Sequence, residues 1–445
     1  MTTVLVVIAA ACGSSSNNAN KGSPTTASGG TLPTALGTGV TANSIKLGVA
    51  EPDFSCFSAF VDQIRTNQKQ MFQAYVDAIN NAGGINGRKI VMDFKLFCPV
   101  PGTGVQASSL CTAFTDDDHV FAVVGTLSDF TGDTQECITG THKTILISYL
   151  QDQTWMQKAA GLLLSPDIAR QRRVNVILNL VKKQGTLKGK KIAVLGETDT
   201  KNEVSQTVVP GVKALGNKLG TTAILTISGS DTSAAQSQLD SFIERWKSDG
   251  VNAIFMVGQQ VSSKQFVEKI KKAMPKVQLL ADNGEVLSYG QDYVVDHIKD
   301  DPYTGIISAD GESGAQHDGE ANNQKCAAIY QAAFHKPASH YNTITPGPGG
   351  KTIDVYGLED DACTLTQMFA AIAEKAGPNL NNATWVNAVD HMGSVPDMDT
   401  HYASLGKNKY DADDTFRLVA FDPTITDKGD WRGLTPVENV AETNK

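Results

Sequence analysis

Several motifs in this chain have the residue types of a catalytic or nucleotide site, and each fails on its surroundings. Gly37-Thr38-Gly39-Val40-Thr41-Ala42 fits the spacing of a dinucleotide loop. That loop works only between a strand and a helix, where the helix N-terminus meets a pyrophosphate; here it precedes the first apolar run. Thr345-Pro346-Gly347-Pro348-Gly349-Gly350-Lys351-Thr352 is similar to a phosphate loop. Thr345 stands at the first glycine position, and the two prolines remove backbone donors that a phosphate needs. The zinc-protease and serine-hydrolase signatures are absent, and the eight histidines are scattered. His335 and His340 are five apart, a spacing that does not share one helix face. Asp116-Asp117-Asp118 reads as a solvated turn before a strand. Asp310-Gly311-Glu312 with His317-Asp318 is the remaining candidate for a cation. We therefore expect no enzyme, no cofactor and no resident metal.

Cysteine chemistry is more informative. Cys12 stands alone near the N-terminus, and Cys56, Cys98, Cys111, Cys137, Cys326 and Cys363 make an even set with no Cys-x-x-Cys. An even set in an exported chain points to disulfides rather than zinc. Six cysteines allow 15 pairings, and the spacing alone does not choose between them. We favour Cys111–Cys137 and Cys326–Cys363, each joining helices expected to be neighbours, which leaves Cys56–Cys98. Free buried thiols are the alternative.

Export itself is read from the first residues. Val4 to Ala11 is apolar, too short to span a bilayer, and ends in Ala9-Ala10-Ala11-Cys12-Gly13. Small residues directly before a cysteine resemble a bacterial lipobox, which implies that Cys12 is lipidated. Ala9 stands where that motif has Leu, and no Lys or Arg precedes the apolar run. Residues 1–12 are read as a signal remnant. Residues 13–43, rich in Ser, Asn, Thr, Gly and Pro, are read as a flexible tether, because such a composition buries too little apolar surface to order itself.

The elements that must position any site begin at Ser44. Strands are expected at 45–50, 89–97, 119–124 and 144–147, with helices at 59–80 and about 105–114 between them. The rhythm repeats with helices at 168–183, 203–219, 234–247 and 263–274 and strands at 191–195, 223–227, 253–257 and 277–281. Helices at 320–334, 361–376 and 383–389 and a strand at 416–421 follow. Strands alternating with helices mean βαβ units and parallel sheets covered on both faces. Two such series imply an α/β chain of two doubly wound lobes. The net charge of −9 argues against a nucleic-acid partner, which needs clustered Lys and Arg.

Ile79-Asn80-Asn81-Ala82-Gly83-Gly84-Ile85-Asn86-Gly87-Arg88-Lys89-Ile90 closely resembles the leucine/isoleucine/valine-binding protein family. Gly39 to Gly48, Val123 to Ser128 and Asp249 to Phe255 are similar to the same family, so the resemblance runs from about 40 to 440. It implies the type I periplasmic binding fold: lobe one at 44–165 and 318–405, lobe two at 166–317 and 406–445, joined by a three-strand hinge. It implies a function as the solute-binding component of an ABC importer. Such a protein is a lipid-anchored monomer on the extracellular face of the membrane that captures a small polar ligand by hinge closure and presents it to a permease. A sensor passing ligand state to a membrane receptor and a secreted α/β enzyme are the alternatives.

In that frame the ligand sits at the carboxyl ends of the strands. Lobe one then offers Phe54, Ser55, Ser128, Asp129, Tyr149 and Gln151; lobe two offers Glu197, Asp199, Gln259, Asp282 and Glu285. Ser128 matches the family's serine after the third strand, a donor to a ligand carboxylate. Asp282 or Glu285 would hold a ligand ammonium. Ser148-Tyr149-Leu150-Gln151 replaces the family's Ser-Ala-Thr-like run, which argues against a branched-chain amino acid. The acidic groups and amides suggest a polar or cationic part in the ligand.

Overall fold

The computed structural model describes residues 34–443 except 59–60, 62, 101, 103, 128–131, 150–151, 228–231, 297–300, 312–313, 339, 341–342, 344 and 427. The side chains of Glu285 and Ala315 also lie outside the description.

Ile45, Leu47, Val49 and Ala50 are all buried, so the strand Ser44–Pro52 is apolar on both faces. A strand of that kind belongs inside a parallel sheet covered by helices on each side. It pairs in parallel with Lys89–Phe97 on one side and Ala122–Gly125 on the other. Ile145–Ser148 and Leu163–Leu164 complete a five-stranded sheet. In order of appearance the strands lie 2-1-3-4-5, so the winding reverses between the first and third. The helices Gln68–Asn81 and Tyr356–Ala376 supply Phe72, Tyr75, Met368 and Phe369 to the core. Phe369 stacks on Trp385 at 5.7 Å, and Phe121 meets the same indole edge-on at 6.1 Å.

The second sheet repeats this winding. Lys191–Glu197 lies between Ala223–Leu225 and Ala253–Val257, all parallel. Gln278–Ala281 and Ile307–Asp310 follow, and Thr415–Asp422 then joins antiparallel, with Asp430–Gly433 beyond it. Successive strand residues point to opposite faces. Leu195, Ile254 and Leu279 therefore enter one core with Trp246 and Phe266. Val194, Phe255 and Leu280 enter the other with Ile177 and Val181.

The chain passes between the sheets near 165–169, 310–320 and 406–414. The first and third passages run side by side: Ser165 N–H donates to Tyr410 O at 2.9 Å, and Ala412 N–H to Ser165 O at 2.8 Å. Arg172, wholly buried, donates to Asp411 Oδ2 at 2.7 Å and Asp414 Oδ1 at 3.0 Å. Lys409 reaches Asp414 Oδ1 at 3.0 Å from the other side. A buried ion cluster thus ties the passages together.

The three disulfides are Cys56–Cys98, Cys111–Cys137 and Cys326–Cys363. All three lie in or beside the first sheet and its helices.

Some sequence expectations need correction. The helix expected over 59–80 starts only at Gln68, because Asn67 is left-handed at φ 59°. Before it, Gln63–Ile64 pairs with Thr352–Ile353 in a small separate sheet. The tether ends sooner than residue 43: Gly37 N–H donates to Leu380 O at 2.9 Å and Arg88 Nε to Thr41 O at 2.7 Å. The second sheet is mixed rather than wholly parallel, since its last strands run antiparallel. Among the described residues no helix is long and apolar enough to cross a membrane.

Candidate functional site

Each sheet ends, at its reversal of winding, on a buried glutamate. In the first, Glu51 is the last residue but one of the strand Ser44–Pro52 and is wholly buried. Its Oε1 accepts the Thr126 N–H at 3.1 Å, just past the strand Ala122–Gly125. The approach is tight: a Cβ at Gly125, where φ is +140°, would stand 2.0 Å from Ala50 O. Only glycine adopts that backbone so close to a neighbour. Burial, with Asp361 adding to it, pushes the Glu51 carboxyl up to about 8, while Arg65 pulls the other way.

Arg65 holds this end together. Its Nε donates to Asp354 Oδ2 at 3.0 Å, its Nη1 donates to Asp361, and Glu51 Oε2 stands 3.9 Å away. Burial works against the guanidinium charge, but Asp361, Asp354 and Glu51 outweigh it and raise its pKa. Tyr149, just past the strand Ile145–Ser148, turns its hydroxyl toward Asp361. Among the described residues that hydroxyl has no partner at bonding distance. Burial, then Asp360, Asp361, Asp397 and Asp167, raises its pKa. Asp397 is itself pushed up to about 7 by burial and by Asp399.

The second sheet repeats the geometry. Glu197 closes the strand Lys191–Glu197, and its Oε2 accepts the Val261 N–H at 3.2 Å. Gly258, at φ +117°, lies so close that a Cβ there would meet Glu197 Oε1 at 2.4 Å. Asp282 Oδ1 accepts the Gly258 N–H at 3.0 Å, so Glu197 and Asp282 converge on one glycine. Glu203 completes the group. Burial and then Asp199 push Glu197 up to about 7; burial and then Asp282 push Glu203 up to about 8. Burial also raises Asp282. The nearest cation is Arg170, the first residue of the helix Arg170–Gln184, and Arg173 of the same helix also acts on Asp282. It approaches Glu203 Oε2 only to 3.9 Å. Asp152, from the loop after the first sheet's fourth strand, also acts on Glu203, which places this group where the two sheets meet. Glu197, Thr198, Asp199, Ile227 and Gln260 line a hollow of about 380 Å³.

Of the residues nominated from the sequence, Glu197 and Asp282 are thus brought together. Tyr149 joins the first sheet's cluster. Asp199 and Gln259 are exposed at the rim of the second sheet. Phe54 packs on Phe57 at 4.8 Å. Ser55 is exposed and donates its hydroxyl to Asp53 Oδ1 at 2.6 Å, inside the short turn that Asp53 caps. Glu285 opens the helix Glu285–Val295, but its side chain lies outside the described residues, as do Ser128, Asp129, Gln151 and Cys12.

Sequence reasoning missed Glu51, Arg65, Asp354, Asp361, Arg170 and Glu203. Glu51 was legible as the last charged residue of an apolar strand, although the search began after that strand. The others come from distant segments and carry no local signal. Of the proposed cation group, the described members Asp310, His317 and Asp318 form no set with metal-ligand spacing, and Glu312 lies outside the described residues. Among the described residues, the single set with metal-ligand spacing is Cys111, Cys137 and His142, and its cysteines are disulfide-bonded.

The family described as periplasmic binding protein matches residues 44–422. No curated protein matches the sequence. Among solved structures, a leucine-, isoleucine-, valine-, threonine- and alanine-binding protein from Brucella ovis, in a closed conformation, is 14% identical with a TM-score of 0.62. The match covers 91% of this chain and 97% of that one. A substrate-binding protein from Desulfitobacterium hafniense in complex with Leu is 14% identical with a TM-score of 0.59, covering 88% of this chain and 100% of that one. A solute-binding protein from Rhodopseudomonas palustris in complex with p-hydroxybenzoic acid is 15% identical with a TM-score of 0.61, covering 89% and 98%. At these identities the likeness is one of fold.

Proposed function

The chain belongs to the periplasmic binding protein family, and we propose that it is the solute-capturing component of an ABC importer. In this reading a lobe of residues 44–165 and 318–405 closes on a lobe of residues 166–317 and 406–445 around a small polar solute, an amino acid or a related amide or organic acid. The protein acts as a monomer, held at the outer face of the membrane through Cys12, and presents its closed form to a permease. It makes and breaks no covalent bond.

The observation that carries the reading is the pair of equivalent strand ends. Glu51 and Glu197 each sit at a reversal of winding, where open α/β sheets bind their ligands. Buried polar groups without partners are costly alone and become favourable when a guest completes them, so a wrong guest is rejected. Contacts to both lobes then favour the closed state. The ligands of the solved relatives, leucine and hydroxybenzoate, lend support to a small polar guest.

The experiment is a calorimetric and thermal-shift screen against amino acids, amides and small organic acids. A true ligand raises the melting temperature with its concentration. A blank across all three classes overturns the reading.

A further inference from the structure

We propose that the second lobe's strand end selects a solute of net positive charge, carried on an ammonium or guanidinium group. This rests on the solute-capture reading above and narrows it.

The argument begins with two oxygens. Asp282 is 1% exposed and Glu203 7% exposed. Among the described residues, Asp282 Oδ2 and Glu203 Oε1 have no hydrogen-bond partner. A buried carboxylate oxygen without a donor is unfavourable unless something supplies one. Both residues face Arg170, together with Glu197 and Asp199. Two guanidiniums, Arg170 and, on Asp282, Arg173, therefore serve four carboxylates, and the one ion pair either makes among the described residues is the 3.9 Å approach of Arg170 to Glu203. The group is short of positive charge, and the hollow beside it, lined by Glu197, Thr198, Asp199, Ile227 and Gln260, has about 380 Å³. That is room for a small molecule.

An anion fits poorly, because four carboxylates surround Arg170 and Arg173 divides its charge between Asp282 and Asp413. A chelated metal ion fits poorly as well: among the described residues these carboxylates do not bring three ligand atoms within 4.8 Å of one another. A zwitterion such as leucine brings one positive and one negative charge, which leaves the shortage as it was. An organic cation supplies N–H donors to Asp282 Oδ2 and Glu203 Oε1 and corrects the imbalance. The raised carboxyls of Glu197 and Glu203 are in keeping with this, since a cation draws them to the ionised form.

The test titrates the intact chain with arginine, putrescine, leucine and 4-hydroxybenzoate by calorimetry at pH 8.5 and low salt. Arginine or putrescine is expected to bind at least tenfold more tightly than either of the others. Asp282→Asn and Glu203→Gln, on separate elements, are each expected to weaken that cation by at least roughly 30-fold. Their melting temperatures without ligand should hold or rise, because each change removes an unsatisfied buried charge. Tighter or equal binding of leucine or 4-hydroxybenzoate overturns the cation assignment and leaves solute capture standing. So does full cation affinity in both variants. If none of the four binds, the assignment falls; if the wider screen is also blank, solute capture falls with it.

Discussion

The two lobes repeat one device and finish it differently. In each, the first strand carries a buried glutamate at its C-terminal end, a glycine closes or directly follows the third strand, and a backbone N–H beyond that glycine donates to the glutamate. In the first lobe the chain supplies its own counter-ion: Arg65 is held by Asp354 and Asp361 beside Glu51. It also carries the three disulfides. In the second lobe Arg170 stands off from its carboxylates, and no cysteine ties the strands. A buried charge is tolerated when paired and is costly when not. The contrast is that the first lobe's arginine sits in close ion pairs made within the chain, while the second lobe's Arg170, among the described residues, has none closer than 3.9 Å.

The largest effect expected is from reduction. Each bridge closes 26 to 42 residues, a loop worth roughly 3–4 kcal/mol on the chain-entropy account. After reduction, hydrogen exchange should quicken first in 44–164 and 321–405, with 170–310 still protected. Simultaneous loss in both regions would break the contrast.

Next comes the counter-ion. Arg65→Met strands three carboxylates and should cost about 3–5 kcal/mol in urea unfolding. Arg170→Met gives up no close ion pair and should cost less than Arg65→Met. Equal costs would mean that the arginines do the same work.

The smallest effect is in the pH dependence. Glu51 is raised to about 8 and Glu197 to about 7. A carboxyl raised on folding binds its proton more tightly in the folded state, so its contribution is favourable at low pH and is lost as pH rises. The Glu51 window runs from about 4.3, the unfolded value, to about 8; the Glu197 window closes near 7. Glu51→Gln should flatten the fall in unfolding free energy between pH 5 and 9, a gain on the order of 1–3 kcal/mol at the alkaline end. Glu197→Gln should give a smaller gain that is complete by neutral pH. A steeper fall in either variant would reverse the sign argued here.

Much of the architecture was legible. Apolar runs such as Ala253–Val257, matched residue for residue by the observed strand, announce parallel strands because both faces must be buried. The motif from Ile79 to Ile90 located a helix end, a glycine turn and the next strand. The helix placed over 59–80 went wrong because Gln63–Ile64 finds its partner at Thr352–Ile353, and no local periodicity reports a pairing across that distance. Ile307–Asp310 escaped because four residues carry little pattern. Glu197 and Asp282 were nominated by the rule that strand ends carry ligands, and the structure brings both to Gly258.

By itself, then, the sequence determined the alternation of strands and helices, the even cysteine count and the carboxylates at the strand tips, since these rest on local pattern and composition. Only the tertiary structure decided which charges meet. Arg65 joins Asp354 and Asp361 across some 290 positions, and the Asp152 charge, from the loop beyond the other sheet, raises the Glu203 carboxyl. Burial and proximity, not residue type, decide whether a carboxylate is a solvated surface group or an unmet demand for positive charge.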